Sequence, residues 1–161
     1  MHTTIIREAV IEDAEAILGL IIELAIYEKE PHAVEATVED IRRDGFGPKP
    51  LFNCLIAECD GKAVGFSLYF LKWSTWRGRP SLHLEDLFVN STVRGLGVGM
   101  KLLKRLARIA LDNECARFDW EVLDWNMLAR DFYHTIGAQH RQGWLPYRIE
   151  GDALKALAKG G

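Results

Sequence analysis

The chain switches between two hydrophobic periods, and the switches lay out its elements. Apolar Ala14, Ile17, Leu18, Ile21, Leu24 and Ala25 follow the acidic opening Glu12-Asp13. Their spacing is the stripe of an amphipathic helix, which fades at Tyr27-Glu28 ahead of Pro31. Thr3 to Arg7 before it reads as a short strand. Thr37, with Asp40 three residues on, opens a second helix as a capping pair, and the Gly- and Pro-rich stretch 44–50 reads as a loop. Leu51 to Glu58 and Ala63 to Leu71 are strands joined by Asp60-Gly61, a hairpin signal. A second turn at 76–80 leads into the strand Ser81 to Val89. Strict alternation along that strand puts Leu82, Leu84, Asp86 and Phe88 on one face and His83, Glu85, Leu87 and Val89 on the other.

Past mid-chain the pattern changes. A helix carrying Leu102, Leu103, Leu106, Ile109 and Ala110 is followed by a strand from Phe118 to Leu123. Asn126 caps a helix running through Ile136, with Gly137 just past its end. Gly143 to Ile149 reads as a late strand, and Asp152 opens a terminal helix. There is no internal repeat, low-complexity tract or linker. One α/β domain over 1–161 is expected, an antiparallel meander feeding a β–loop–α–β–α half.

Composition narrows the class without naming a chemistry. With 161 residues, 48% hydrophobic and 27% charged, the chain has the make-up of one globular domain. A net charge of -3 argues against a nucleic-acid partner, since such proteins carry a basic excess. Three cysteines without CxxC spacing point to a reduced, cytoplasmic setting. The first residues lack a signal-peptide pattern, and no apolar run approaches the roughly 18 residues that cross a bilayer, so no membrane partner is expected. His2, His32, His83, His134 and His140 lack metal-ligand spacing, and no metal is expected.

The strongest local signal is Arg94-Gly95-Leu96-Gly97-Val98-Gly99-Met100, between a strand and a helix. Glycines let the backbone approach a ligand, and the helix N-terminus favours negative charge, so the loop suits a pyrophosphate. Met100-Lys101-Leu102 after Gly99 lacks the Lys-Ser/Thr of a nucleoside-triphosphate loop. The Gly95-x-Gly97-x-Gly99 spacing is not that of a dinucleotide-binding turn. The pattern met is R-x-x-G-x-G/A, through Arg94, Gly97 and Gly99.

With that loop, the block Val122-Leu123-Asp124-Trp125-Asn126, Ala129, Phe132-Tyr133 and Gly137-Ala138 resembles the GNAT superfamily of acetyl-CoA-dependent N-acetyltransferases. Three further stretches resemble its spermidine/spermine (diamine) acetyltransferase branch, which includes the thialysine N-epsilon-acetyltransferases. They are Leu18 to Glu28, Asp44-Gly45-Phe46-Gly47 and Leu84-Glu85-Asp86-Leu87-Phe88-Val89. Ser74 to Arg79 and Val122 to Asn126 lean towards the thialysine members.

The resemblance implies a GNAT fold, a mixed and mostly antiparallel sheet flanked by helices, and acetyl-CoA as co-substrate. It assigns the pyrophosphate to Arg94, Gly95, Leu96, Gly97, Val98, Gly99 and Met100, and the pantetheine arm to the backbone of Leu87, Phe88 and Val89. Asn126, Ala129 and Tyr133 are set against the same coenzyme. Tyr133 becomes the acid for the departing thiolate, although its spacing alone reads as a core aromatic. Glu85 is assigned to the amine, as ammonium ligand or proton relay, whereas Asp86 reads as structural. Tyr27 and Glu28 line the amine site, as do Asp119, Trp120 and Glu121. The last three depart in type from the polyamine enzymes, which leaves the choice of amine open. Lys101, Lys104, Arg105 and Arg108 read as a solvated helix face, with help to the coenzyme's 3′-phosphate as the other reading. The implied function is direct acetyl transfer to a primary amine of a small cationic molecule, by a homodimer. Another amine (a drug, a protein N-terminus or lysine) and a non-catalytic acyl-CoA-binding module remain the alternatives.

Overall fold

The computed structural model describes residues 3–160; His2 lies outside them. Five strands, β1 (Thr4–Glu8), β2 (Asn53–Cys59), β3 (Lys62–Ser74), β4 (Arg79–Val89) and β5 (Arg117–Trp120), lie side by side in chain order. The first four are antiparallel, and β5 joins β4 in parallel. This is the mixed, mostly antiparallel sheet expected. Helices α1 (Ala14–Tyr27), α2 (Val38–Phe46) and α3 (Val98–Asp112) belong to the same unit, which ends at Leu123. A second unit, from Asp124, holds α4 (Met127–Thr135) and α5 (Gly151–Lys159).

Local chemistry explains the elements. Asp60 and Gly61 both take positive φ, 50° and 78°, the left-handed pair that closes a two-residue hairpin between twisted strands. At the start of α2, Thr37 Oγ1 accepts from the Asp40 N–H at 3.2 Å while Asp40 Oδ2 accepts from the Thr37 N–H at 2.9 Å. Those reciprocal bonds satisfy backbone donors the helix cannot. Arg7 on β1 donates to both oxygens of Asp13, at 2.8 and 2.9 Å, and to Glu58 on β2 at 2.9 Å. This ties the sheet edge to the turn before α1 and holds the Asp13 carboxyl below the usual range.

Both faces of the sheet are covered. Ala14, Ile17, Leu20 and Leu24 of α1 and Ile41 of α2 pack on Cys54, Ile56, Phe66 and Phe88. On the other face α3 buries Val98, Leu102, Leu103, Leu106 and Ala110.

β4 does not alternate strictly. Tyr69 pairs with Leu84 and its neighbour Leu68 pairs with Asp86, so Glu85 is an extra residue on β4. Adjacent residues of β3 face opposite sides, and therefore Leu84 and Asp86 do as well. Leu82 and Leu84 look towards α3; His83, Glu85, Asp86 and Phe88 look towards α1 and α2. The expected common face for Leu82, Leu84, Asp86 and Phe88 is corrected by this bulge. β5 pairs with β4 only as far as Trp120 opposite Leu84. From Glu85 onward the outer edge of β4 therefore has no strand partner among the described residues.

Element boundaries also move, and one expected strand is absent among the described residues. β5 stops at Trp120 rather than Leu123, and α2 runs on to Phe46 through the front of the expected loop. The segment from Gly143 to Ile149 is not a strand. Leu145, Tyr147 and Ile149 keep the alternating pattern, but no ladder pairs with them among the described residues, and without one the pattern has no backbone partner to act on.

Candidate active site

The bulge sets the site. It turns Glu85 and Asp86 onto one face of the sheet, where α1 ends in Tyr27 and Glu28. Burial pushes the Asp86 carboxyl up to about 6, with the charges of Glu85 and Glu28 adding to the shift. Burial alone raises Glu28. Among the described residues no Lys or Arg side chain pairs with Glu28, Glu85 or Asp86. Mutually repelling, partly desolvated carboxylates without a counter-ion suit a cationic guest, whose charge would relieve the repulsion.

A second polar group lies beside them. His83 Nδ1 is 2.6 Å from Asp119 Oδ1 across the β4–β5 pair, and Lys72 Nζ is 3.2 Å from the same oxygen. The other ring nitrogen, Nε2, is 3.6 Å from Glu85 Oε2. Asp119 is thus already paired, and does not present a free charge as Glu28 and Asp86 do. Trp120 faces α3, opposite to Asp119, and its ring lies 4.9 Å from that of Phe118, tilted by 57°. Glu121 lies past the end of β5 and is exposed. Of the expected second substrate-lining stretch, only Asp119 shares the face of the acid cluster.

The glycine-rich turn lies at the other end of β4. Asn90 anchors its start: its N–H donates to the Val64 carbonyl at 2.7 Å and its side chain donates to Glu23 of α1 at 2.8 Å. Arg94 Nε donates to the Val89 carbonyl at 3.1 Å, and its guanidinium lies 4.8 Å from the centre of the Tyr27 ring and 5.6 Å from that of Phe88. The side chain of Arg94 therefore links the turn, β4 and the end of α1. Gly95 and Gly97 take φ of 82° and 75°, with open space where a Cβ would stand. Gly97 caps α3 without a side-chain acceptor. The first-turn N–H groups of Val98, Gly99 and Met100 have no helical partner to bond. With the unpaired edge at Leu87, Phe88 and Val89, these groups fit a ligand with a diphosphate and an extended amide chain. A shallow cavity of about 270 Å³ beside the turn is lined by Asp60, Lys62, Thr92 and Leu96.

In the second unit, Asn126 Oδ1 accepts from the Ala129 N–H at 3.3 Å and caps α4 as expected. Gly137 at φ 90° ends that helix, and the Ala138 N–H closes back on the Tyr133 carbonyl at 3.1 Å. Asn126, Ala129 and Tyr133 fall at i, i+3 and i+7 on one partly buried side of α4. The Tyr133 ring lies 5.9 Å from that of Phe132.

Several other groups lie outside this arrangement. Burial pushes the Cys54 thiol up to about 12, so it is no nucleophile at neutral pH. Lys101, Lys104, Arg105 and Arg108 are exposed; Arg105 and Arg108 line a surface depression of about 380 Å³ with Glu8 and Tyr69. Among the described residues no His, Cys, Asp and Glu group could hold a metal ion, and no helix is long and apolar enough to cross a membrane. The structure brings two further residues to the candidate site. The sequence alone reads His83 as a histidine without metal-ligand spacing and Asp86 as structural; the adjacency of Glu85 and Asp86 in an apolar strand is the available signal.

Comparison with known proteins bears on this arrangement. The model of the "Acetyltransferase (GNAT) family" matches residues 10–138. The chain is 43% identical to the thialysine N-epsilon-acetyltransferase of Sus scrofa, over 98% of this chain and 99% of that protein. It is 39% identical to the spermidine/spermine N(1)-acetyltransferase-like protein 1 of Homo sapiens, over 95% of this chain and 23% of that longer protein. Among solved structures, an integron cassette protein from the mobile metagenome of V. cholerae superposes with a TM-score of 0.83, at 31% identity, over 97% of this chain and 98% of that one.

Proposed function

The chain belongs to the GNAT acetyltransferase family and is an N-acetyltransferase with that family's fold, and from this premise we propose that it moves acetyl from acetyl-CoA to a primary amine of a small cationic molecule. Thialysine, lysine-like amino acids, diamines and polyamines are the substrate class. The observation that carries the reading is the trio Glu28, Glu85 and Asp86, facing one another with no Lys or Arg partner. A substrate with two positive centres answers it, one amine reacting while another is held.

Each chemical requirement has a candidate group. A primary alkylammonium loses its proton near pH 10, so the reacting amine needs an acceptor, and Glu85, the exposed carboxylate on the bulge, is the candidate. Asp86 and Glu28 hold the remaining positive charge. The N–H groups around Gly97 and the free edge at Leu87–Val89 hold the coenzyme, which supplies the activated acetyl thioester. Tyr133 Oη returns a proton to the departing sulfur. Transfer is direct, in a ternary complex: the pushed-up Cys54 thiol supports that reading, since the strand offers no activated cysteine. The proposal extends to one catalytic domain over 1–161; the family resemblance adds a homodimer, and cysteine usage, charge and hydropathy add a cytoplasmic setting without nucleic-acid or membrane partners.

The test is CoA release from acetyl-CoA against thialysine, lysine, putrescine, spermidine and spermine. Turnover is expected with at least one of them. Acetyl-CoA binding without turnover on any would overturn the substrate class and favour a non-catalytic binding module.

A further inference from the structure

The chain Lys72–Asp119–His83–Glu85 runs across three strands into the amine site, and of its members the proposed acetylation uses only Glu85. We propose that His83, fixed at Nδ1 by Asp119, is the positioning residue that takes over the proton Glu85 removes from the amine; this rests on the reading of the site as an amine acetyltransferase.

The geometry sets the direction of transfer. Asp119 as a carboxylate can only accept, so in the neutral ring the proton sits on Nδ1, at 2.6 Å. The lone pair is then on Nε2, which faces Glu85 Oε2 at 3.6 Å. That distance is long for a hydrogen bond, and a small rotation of the exposed Glu85 side chain or one water closes it, as when substrate tightens a site. Lys72 Nζ lies 3.2 Å from the same Asp119 oxygen and places a positive charge on the far side of the carboxylate. The Phe70 ring, 5.1 Å from the imidazole and tilted by 40°, packs beside it.

The step balances without a further reactant. An ammonium N–H bond breaks as Oε2–H forms on Glu85; then Oε2–H breaks as Nε2–H forms on His83. The amine is left as the free base, Glu85 is again a carboxylate, and the imidazolium lies between two carboxylates, Glu85 and Asp119. Its side chain retains 17% of its exposure, through which the proton passes to water. Without the imidazole the proton stays on Glu85 beside two other acids. The charged groups facing His83 are Asp119 from β5, Lys72 from β3 through Asp119, and Glu85 on its own strand. Asp86, two positions beyond Leu84, and Glu28 from α1 act on the same cluster.

The test is the pH profile of kcat/KM for the amine in the wild type and in His83→Gln, His83→Ala and Asp119→Asn. His83→Gln is expected to lower it roughly 10–100-fold at pH 7, within the range of acid–base contributions. The deficit should shrink towards pH 10, where the amine arrives already unprotonated, while the KM for acetyl-CoA stays unchanged. Added imidazole should partly restore His83→Ala, and Asp119→Asn should show a smaller deficit of the same pH dependence. A deficit that is constant with pH and not rescued by imidazole would overturn the relay and leave His83 a packing residue. Turnover by the wild type with unchanged profiles in all three variants would overturn it too. Absence of turnover by the wild type would remove the acetylation reading itself, and the relay with it.

Discussion

Leu84 and Asp86 are two residues apart on β4 yet face opposite sides of the sheet, because Tyr69 pairs with the first and Leu68 with the second. The insertion of Glu85 between them has two consequences. It moves two adjacent acids to the face where α1 ends, and it comes where β5 stops pairing, so the same strand then offers a free backbone edge. The irregularity thus sets an anionic cluster next to a free ladder edge, at neighbouring points of one strand.

Asp86 is where site and stability are in conflict. Its carboxyl is pushed up to about 6, whereas an unfolded chain binds that proton near pH 4. Between those values the folded state holds more protons than the unfolded one, so stability falls as pH rises through the window and stays low above it. Asp86→Asn removes the repulsion and is expected to stabilise the protein by ~1–2 kcal/mol at pH 7. Thermal denaturation at pH 4 and pH 8 checks this: the variant's advantage should appear only at the higher pH. The same variant should raise the amine KM several-fold. An unchanged KM would place the substrate's charge elsewhere.

The glycines of the loop separate strain from ligand approach. Gly97 sits at φ 75° with open space around a would-be Cβ, so Gly97→Ala meets backbone strain rather than a clash, at about 1 kcal/mol. Gly99 has ordinary φ, and its Cβ would stand 3.9 Å from Val89 Cγ2. Gly97→Ala should lower Tm and raise the KM for acetyl-CoA. Gly99→Ala should leave Tm unchanged, so that any rise in its acetyl-CoA KM measures how closely the ligand approaches the backbone. Neither should alter the amine KM.

Periodic elements were legible in the sequence because their determinants are local. The α1 stripe, the Thr37–Asp40 box, the Asp60-Gly61 turn and the Asn126 and Gly137 caps each depend on residues within a few positions. Register was not legible. The pairing of Tyr69 with Leu84 is a property of two strands at once, and without it alternation assigns Asp86 to the wrong face. For the same reason His83 could not be joined to Asp119, which lies 36 positions away. The apolar alternation at Leu145, Tyr147 and Ile149 read as a strand, but alternation describes only side chains, and a strand also needs a backbone partner. The loop and acid motifs were legible as chemistry; their division into a paired Asp119 and an uncompensated Glu28–Glu85–Asp86 trio was not.

Tyr133 tests the acid role. It lies on the side of α4 shared by Asn126 and Ala129, and its carbonyl already serves the helix end, so Tyr133→Phe changes only the hydroxyl. A kcat loss of about 100-fold is expected, within the range of a positioned acid, with unchanged KM for acetyl-CoA and an unchanged circular dichroism spectrum. Normal turnover in a folded variant would leave protonation of the thiolate to water.

Arg94 tests whether one side chain serves both proposed substrates. Its Nε holds the Val89 carbonyl at 3.1 Å, at the end of β4, and its guanidinium lies 4.8 Å from the Tyr27 ring centre at the end of α1. Lysine keeps the charge but lacks the planar fork, so Arg94→Lys gives up both the directed bond and the flat stacking surface. A hydrogen bond of about 1 kcal/mol and a partly exposed cation–π contact of about 0.5–1 kcal/mol together correspond to roughly a tenfold effect. That loss should be divided between two ligands, because the same side chain contacts the loop proposed to hold the coenzyme and the helix end proposed to line the amine site. Arg94→Lys is therefore expected to raise both KM values several-fold with a modest change in kcat. Asp86→Asn should instead move only the amine KM, and Gly99→Ala at most only that of acetyl-CoA. Steady-state kinetics with each substrate varied at saturation of the other provides the check. If Arg94→Lys raised the acetyl-CoA KM alone, the contact with Tyr27 would be packing without consequence for the amine.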